Sequence, residues 1–193
     1  MSSLDVKTTL HEELRYVRAV VLAKLDGLSP YDVRRPLTAS GTNLLGLVKH
    51  LTAWEARYFG LVFDRPWPGE LADWRDEEAH RAAMWATAHE TRQEVRDGYA
   101  AVCAHADATI EDLALDAPGH VPWWPRPDVT LLTVLVHVLT ETTRHAGHAD
   151  ILREQVDGSL GVDAQDRFSI AEAADMWEAR RAHIEEAARA ARD

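Results

Sequence analysis

Apolar residues recur along this chain at three- and four-residue steps almost from end to end. Leu10, Leu14, Val17, Val21 and Leu25 form one such stripe, which predicts a helix from about residue 5 to 26. Gly27 and Pro30 follow it and stop it. A second stripe, Leu44, Leu47, Val48, Leu51, Tyr58 and Leu61, begins after Thr42 as a candidate N-cap and ends at DRPWPG, where prolines forbid continuation. From Asp76 to Leu113 the chain is rich in Ala, Glu, Arg and Gln and lacks proline; it reads as one long helix, or two with a kink near Gly98. DAPGHVPWWPRPD, residues 116–128, reads as a loop, and Thr130 to about Glu154 as the next helix. VDGSLGVDAQD is a further loop, and Ser169 to Ala190 a terminal helix with Met176, Trp177 and Ile184 as its apolar contacts. No strand alternation and no internal repeat is evident. The expectation is an all-α protein, four long helices in a bundle with an additional C-terminal helix.

Composition narrows the class. At 193 residues the chain suits one domain and can bury a core without staples. A formal charge of −11 repels phosphate backbones and anionic lipid, so neither nucleic acid nor a membrane surface is an expected partner. One cysteine, Cys103, excludes both an internal disulfide and a four-cysteine zinc site. The start has no apolar signal core, and Leu131 to Leu139 is too short to span a bilayer. A cytoplasmic protein is the expectation. Of 21 basic residues 18 are Arg and only 3 Lys, and there are 30 Ala, a skew expected of a high-GC bacterium.

The helix after Thr130 carries the chemistry. His137, Glu141, His145 and His148 follow Leu131 and Val134 at helical steps and fall within about 80° of one another on a face that starts and ends apolar. A carboxylate and three imidazoles on a core-facing stripe are costly unless compensated, and a divalent cation compensates them by making them ligands. One such histidine alone is more often a hydrogen-bonded core residue, and Glu141 with His145 can be a plain ion pair. On the second helix, Leu47, His50 and Trp54 share a face, which points His50 inward. His50, Glu141 and His145 would make three ligands and leave a fourth position open, as catalytic zinc sites do. A closed site, completed by His148 or His137, would instead be structural or sensory. Around it, Trp54, Trp123, Trp124 and His120 are candidate pocket walls, and Arg126 and Arg153 candidate contacts for an anionic substrate. His80 and His89 on the acidic stretch, His11 and His183 near the termini, and His105 read as surface residues. Cys103 reads as buried and inert.

SGTNLLGLVKHLTAWEARYFG, followed some eighty residues later by LLTVLVHVLTETTRHAGHADILRE, resembles the DinB-like metalloprotein superfamily. Within it the chain is most similar to the actinobacterial mini-circle branch of unknown function. The resemblance covers roughly residues 5–155. It implies an up-down four-helix bundle over residues 1–155, with residues 156–193 as a loop and helix packed on it. It also implies a divalent metal, zinc or nickel, on His50, Glu141 and His145, with His148 where many relatives carry glutamine and therefore beside the metal ligands, as His137 would be. Glu141 replaces the first histidine of a usual His-x-x-x-His pair, which favours zinc. Relatives use low-molecular-weight thiols, and the high-GC composition makes mycothiol the matching one. The expected activity is transfer of mycothiol sulfur to a small electrophile, or a thiol-assisted isomerisation; the competing expectation is a non-catalytic metal-binding or sensory protein. The oligomeric state is open, a homodimer included.

Overall fold

A computed structural model describes residues 3–162 and 166–191, without the side chains of Ser3, Leu4 and His80. Part of the VDGSLGVDAQD segment, residues 163–165, thus lies outside the described residues, as does the expectation for the His80 side chain. The chain is mostly helical: α1 (Ser3–Ala23), α2 (Leu44–Phe59), α3 (Glu77–Ala82), α4 (Arg92–Asp112), α5 (Leu131–Asp157) and α6 (Ala174–Ala190). None of these is long and apolar enough to cross a membrane. Helix α2 lies against both α4 and α5, and α1 lies against α5. Their facing stripes enclose Leu14, Leu25, Leu45, Phe59, Tyr99, Ile110 and Leu135, none of them more than marginally exposed. Each aliphatic side chain among them contributes about 1.5–3 kcal/mol by leaving water.

The N-cap of α2 is Asn43 and not Thr42: its Oδ1 accepts from the backbone N–H of Gly46 at 2.8 Å. Amide and hydroxyl are both good caps, and the amide one residue closer to the stripe is the one aligned with that donor. The Ala-rich stretch is not one helix, and the break is not at Gly98, which lies inside continuous α4. It falls at residues 83–91. Thr91 and Glu94 form a capping box that starts α4, while Lys49 of α2 binds the Trp85 carbonyl at 3.0 Å and the Glu90 carboxylate at 2.6 Å. Those contacts outweigh helix propensities that differ by tenths of a kcal/mol per residue.

Two hairpins stand where none was expected. β1 (Pro118–His120) pairs antiparallel with β2 (Asp128–Thr130), and β3 (Ser159–Leu160) with β4 (Phe168–Ser169). Strands of two or three residues are too short to show alternation. The first is seated by Gly119, where a Cβ would fall 2.6 Å from the Phe63 ring.

The end of α1 shows what several arginines are for. Arg153 is buried on α5 and donates to the carbonyls of Lys24 (2.8 Å) and Asp26 (2.7 Å) while pairing with Asp157 at 2.7 Å. Arg92 binds the Leu25 and Leu28 carbonyls, Arg96 that of Leu22, and Arg167 that of Ala23. These guanidinium groups bind carbonyls of the last turn of α1 and of the loop that follows it, and so pin the helix end to α4 and α5. Arg153, a candidate contact for an anionic substrate, is thereby engaged at the α1 terminus.

Candidate metal centre

His50 sits mid-way along α2 between buried Leu47 and Leu51, so the phase that buries those leucines also carries the imidazole inward against α5. Glu141 and His145 lie one turn apart on the facing side of α5. One donor atom from each of the three lies within 4.8 Å of the others. Oε1 of Glu141 is 3.7 Å from Nε2 of His50 and 3.0 Å from Nε2 of His145. The two imidazoles meet edge-on with centroids 4.6 Å apart. Glu141 is the most open of the three, its side chain 28% exposed against 12% and 13% for the histidines, so solvent reaches the cluster on the carboxylate side.

Outer contacts orient both rings. Nδ1 of His50 lies 3.0 Å from the Met84 sulfur, an acceptor only; a proton on Nδ1 leaves the Nε2 lone pair facing the cluster. Nδ1 of His145 meets Nδ1 of exposed His148 at 3.3 Å. Burial lowers the His145 pKa below its ordinary value even against the pull of the Glu141 carboxylate. Burial pushes the Glu141 carboxyl up, but the neighbouring His145 and His50 outweigh it and hold it below the usual range. Two imidazoles and a carboxylate are a donor set suited to a divalent cation such as zinc.

Beside Glu141, α2 and α5 leave a cleft of about 10 Å³ lined by Trp54, Glu55, Tyr58 and Val138, room for one water. An aromatic wall continues from it. Trp123 lies 5.4 Å from both Trp54 and Tyr58, and its Nε1–H donates to the Tyr58 hydroxyl at 3.3 Å. Trp74 reaches Trp123 at 5.2 Å from the segment before α3, and the Arg57 guanidinium lies 4.9 Å over Trp54. His137 is half-buried between Tyr58 (4.9 Å) and Trp124 (4.8 Å), with its pKa lowered by burial; it stands with the aromatic wall and outside the three-residue group.

Other histidines are engaged elsewhere. His120 is exposed and pairs with Asp128 at 3.0 Å, and Arg126 is exposed in the same hairpin. His105 donates to the Arg65 carbonyl at 2.7 Å, and His89 and His183 are exposed. His11, expected at the surface, is buried against Asp107 at 2.7 Å. Cys103 is half-buried on α4, and burial raises its thiol pKa far above the ordinary value, which keeps it an inert thiol.

Met84 and Trp74 had no warning in the sequence, because segments without helical phase bring them in. Gly46 makes the approach of Met84 possible. A Cβ there would lie 2.1 Å from the Met84 carbonyl oxygen, so Ala at this position must push residues 83–85 away from α2. Gly46→Ala is therefore expected to cost about 1–3 kcal/mol despite the gain in helix propensity. It should also loosen His50. Thermal unfolding alongside zinc titration checks both, and unchanged values in the two would show that Met84 does not support the ring.

A family model described as mycothiol-S-transferase matches residues 9–158 of the chain. No curated protein matches it. Among solved structures, a crystal structure described as the conserved protein of locus from Enterococcus faecalis is 19% identical over 80% of this chain and 94% of that chain, with a TM-score of 0.38.

Proposed function

Since the chain belongs to the mycothiol-S-transferase family, we propose that it joins the sulfur of mycothiol to a small electrophile at the centre formed by His50, Glu141 and His145. The convergence of those three donor atoms from two helices, inside the matched region, carries this reading. A divalent cation held there, zinc by the chemistry of the donors, would supply Lewis acidity that makes a thiol with an ordinary pKa near 8.5 ionise at neutral pH. Three protein ligands leave a position for that sulfur. The chain's own residues prepare the site: Met84 and His148 fix the two rings, and Glu141 contributes negative charge at the open edge. Trp54, Trp123 and Tyr58 present a water-poor wall on which the organic part of an electrophile can lie. In the transfer a carbon–sulfur bond forms. At a haloaromatic the halide departs with its electron pair and the thiol proton passes to solvent. At an activated alkene or an epoxide the electron pair moves onto the electrophile's own carbon or ring oxygen, which takes up a proton in place of the one the thiol lost. We read α1, α2, α4 and α5 as the DinB-like up-down bundle, residues 1–155, with residues 156–193 as an appended hairpin and helix. The arginine-rich composition and the thiol together suit the cytoplasm of an actinobacterium.

The test is consumption of mycothiol, followed by loss of free thiol, against a panel of haloaromatic, maleimide and epoxide electrophiles. Activity is expected in the zinc-loaded protein, lost on chelation, restored by zinc, and retained in Cys103→Ser. Turnover that survives chelation or requires Cys103 would overturn the mechanism. Metal binding without turnover on any electrophile would favour a sensory role.

A further inference from the structure

The face of α2 that carries His50 does not end at the metal centre. One turn earlier, Gly46 and Leu47 open on a hollow of about 470 Å³, bounded by Ser40 and Thr42 on the loop before α2 and by Arg81, Met84 and Trp85 at and after the end of α3. Leu47 precedes His50 by three residues, about 4.5 Å of helix. Met84, part of the wall, places its sulfur 3.0 Å from Nδ1 of His50, so the hollow adjoins the centre. Its lining is of two kinds. Trp85 is 52% exposed, yet the backbone beneath it is pinned, since Lys49 holds its carbonyl at 3.0 Å. A lone exposed apolar side chain needs no explanation. This one borders a concave surface that it shares with polar groups. On the loop, the hydroxyls of Thr38, Ser40 and Thr42 form a chain with steps of 3.0 and 3.1 Å. Three hydroxyls joined by two hydrogen bonds keep one unspent O–H and several lone pairs.

An indole face beside hydroxyl groups matches a molecule that is apolar on one side and hydroxylated round its edge, which is the build of a sugar or cyclitol ring. An anion fits less well. Among the described residues, Arg81 is the one cation in the lining, and it already pairs with Glu77 at 3.1 Å. Mycothiol carries its cysteine on an amino sugar joined to a cyclitol, so a sulfur held at the metal leaves a neutral polyol to be placed nearby. We propose, resting on the thiol-transfer reading, that the hollow between the start of α2 and residues 81–85 binds the glucosaminyl–inositol part of the thiol. A sugar ring lies on Trp85 and its hydroxyls meet Ser40 and Thr42. Met84 then touches both halves of the site, the His50 ring on one side and the polyol's chamber on the other. The hollow is what distinguishes this thiol from a smaller one.

Binding and turnover test this separately. The glucosaminyl–inositol body without its cysteine, followed by titration calorimetry, is expected to bind the zinc-loaded and the zinc-stripped chain equally, because none of the three candidate metal ligands lines the hollow. Trp85→Ala, and Ser40→Ala with Thr42→Ala, should each weaken that binding by about tenfold or more, and Trp85→Phe, which keeps a ring, by much less. In turnover the first two should raise KM for mycothiol by a similar factor and remove its advantage over N-acetylcysteine, a thiol with no polyol, at unchanged zinc content. No binding of the cysteine-free body to either form overturns the proposal, as does binding that the variants leave unaltered. Equal use of mycothiol and N-acetylcysteine by the wild type also overturns it, and spares the transfer reading. Binding that depends on Trp85, with no thiol consumed against any electrophile, has the opposite meaning: the polyol site stands and thiol transfer falls.

Discussion

Glu141→Ala is expected to leave the purified protein without stoichiometric zinc and without thiol-consuming activity. Glu141 Oε1 is the point at which the two histidines meet, 3.7 Å from one and 3.0 Å from the other. Without it, two imidazoles remain and no anionic donor balances the cation. His50→Ala should have the same outcome by a different route, since Glu141 and His145 alone are a same-helix pair with one side open. His148→Ala is the informative control. It touches only Nδ1 of His145, so its loss should weaken zinc by about 10–100-fold and leave the loaded protein active. Elemental analysis after dialysis against a zinc buffer separates the cases. Equal loss from Glu141→Ala and His148→Ala would mean that His148 is itself a ligand.

The largest effect on stability should come from Arg18→Ala, about 3–5 kcal/mol in urea unfolding. Arg18 of α1 is 4% exposed and Glu55 of α2 only 1%, and the two are in direct contact. Arg18 also binds Asp107 of α4 at 2.6 Å, so one guanidinium ties three helices together. Burial opposes the charge on Arg18, but Glu55 and Asp107 more than make up for it, and its pKa is raised. At Glu55 burial is the larger effect and pushes the carboxyl up against the pull of Arg18. Once the arginine is removed, a carboxylate is stranded in the core with only the Tyr99 hydroxyl, 3.3 Å away. The double variant Arg18→Met with Glu55→Met should recover much of the loss, because an apolar pair of similar volume needs no compensation. Failure of that recovery would mean that Asp107 is the more important partner of Arg18. Burial raises the Asp107 carboxyl, yet hydrogen bonds from Arg18 and His11 hold it below its ordinary 3.8. A lowered native pKa contributes stability above 3.8 that is lost as the pH falls through the native value. Removing Arg18 should therefore shrink that acid-sensitive contribution as well.

What could be read in advance was whatever helical phase fixes. α1, α2 and α5 follow from uninterrupted stripes, and the same phase places His50 on one inner face and Glu141 with His145 on another. Contacts distant in sequence could not be read that way. The break at residues 83–91 depends on Lys49 reaching across from α2, and nothing within the Ala-rich stretch marks it except the Thr91–Glu94 box, a capping motif that was there to be seen. The Arg18–Glu55 pair left a trace too. Arg18 lies next to Val17 and one turn before Val21, where a stripe meant for the core would carry an apolar residue. Charge on such a face usually snorkels out; here a partner on the facing helix holds it inside. Trp74 and Met84 arrive on irregular segments, where no period predicts direction.

One neighbour of the centre gives it a voice. The Trp54 indole lies 6.4 Å from the His50 imidazole, centroid to centroid, and 5.4 Å from Trp123. An excited indole at that range loses its energy to an open-shell ion such as nickel or copper and is left alone by zinc with its filled shell. With a metal bound, the emission of this tryptophan-rich chain would therefore depend on which ion sits between α2 and α5. Exchange of one metal for another can be followed in real time by light, with no label attached and no electrophile needed.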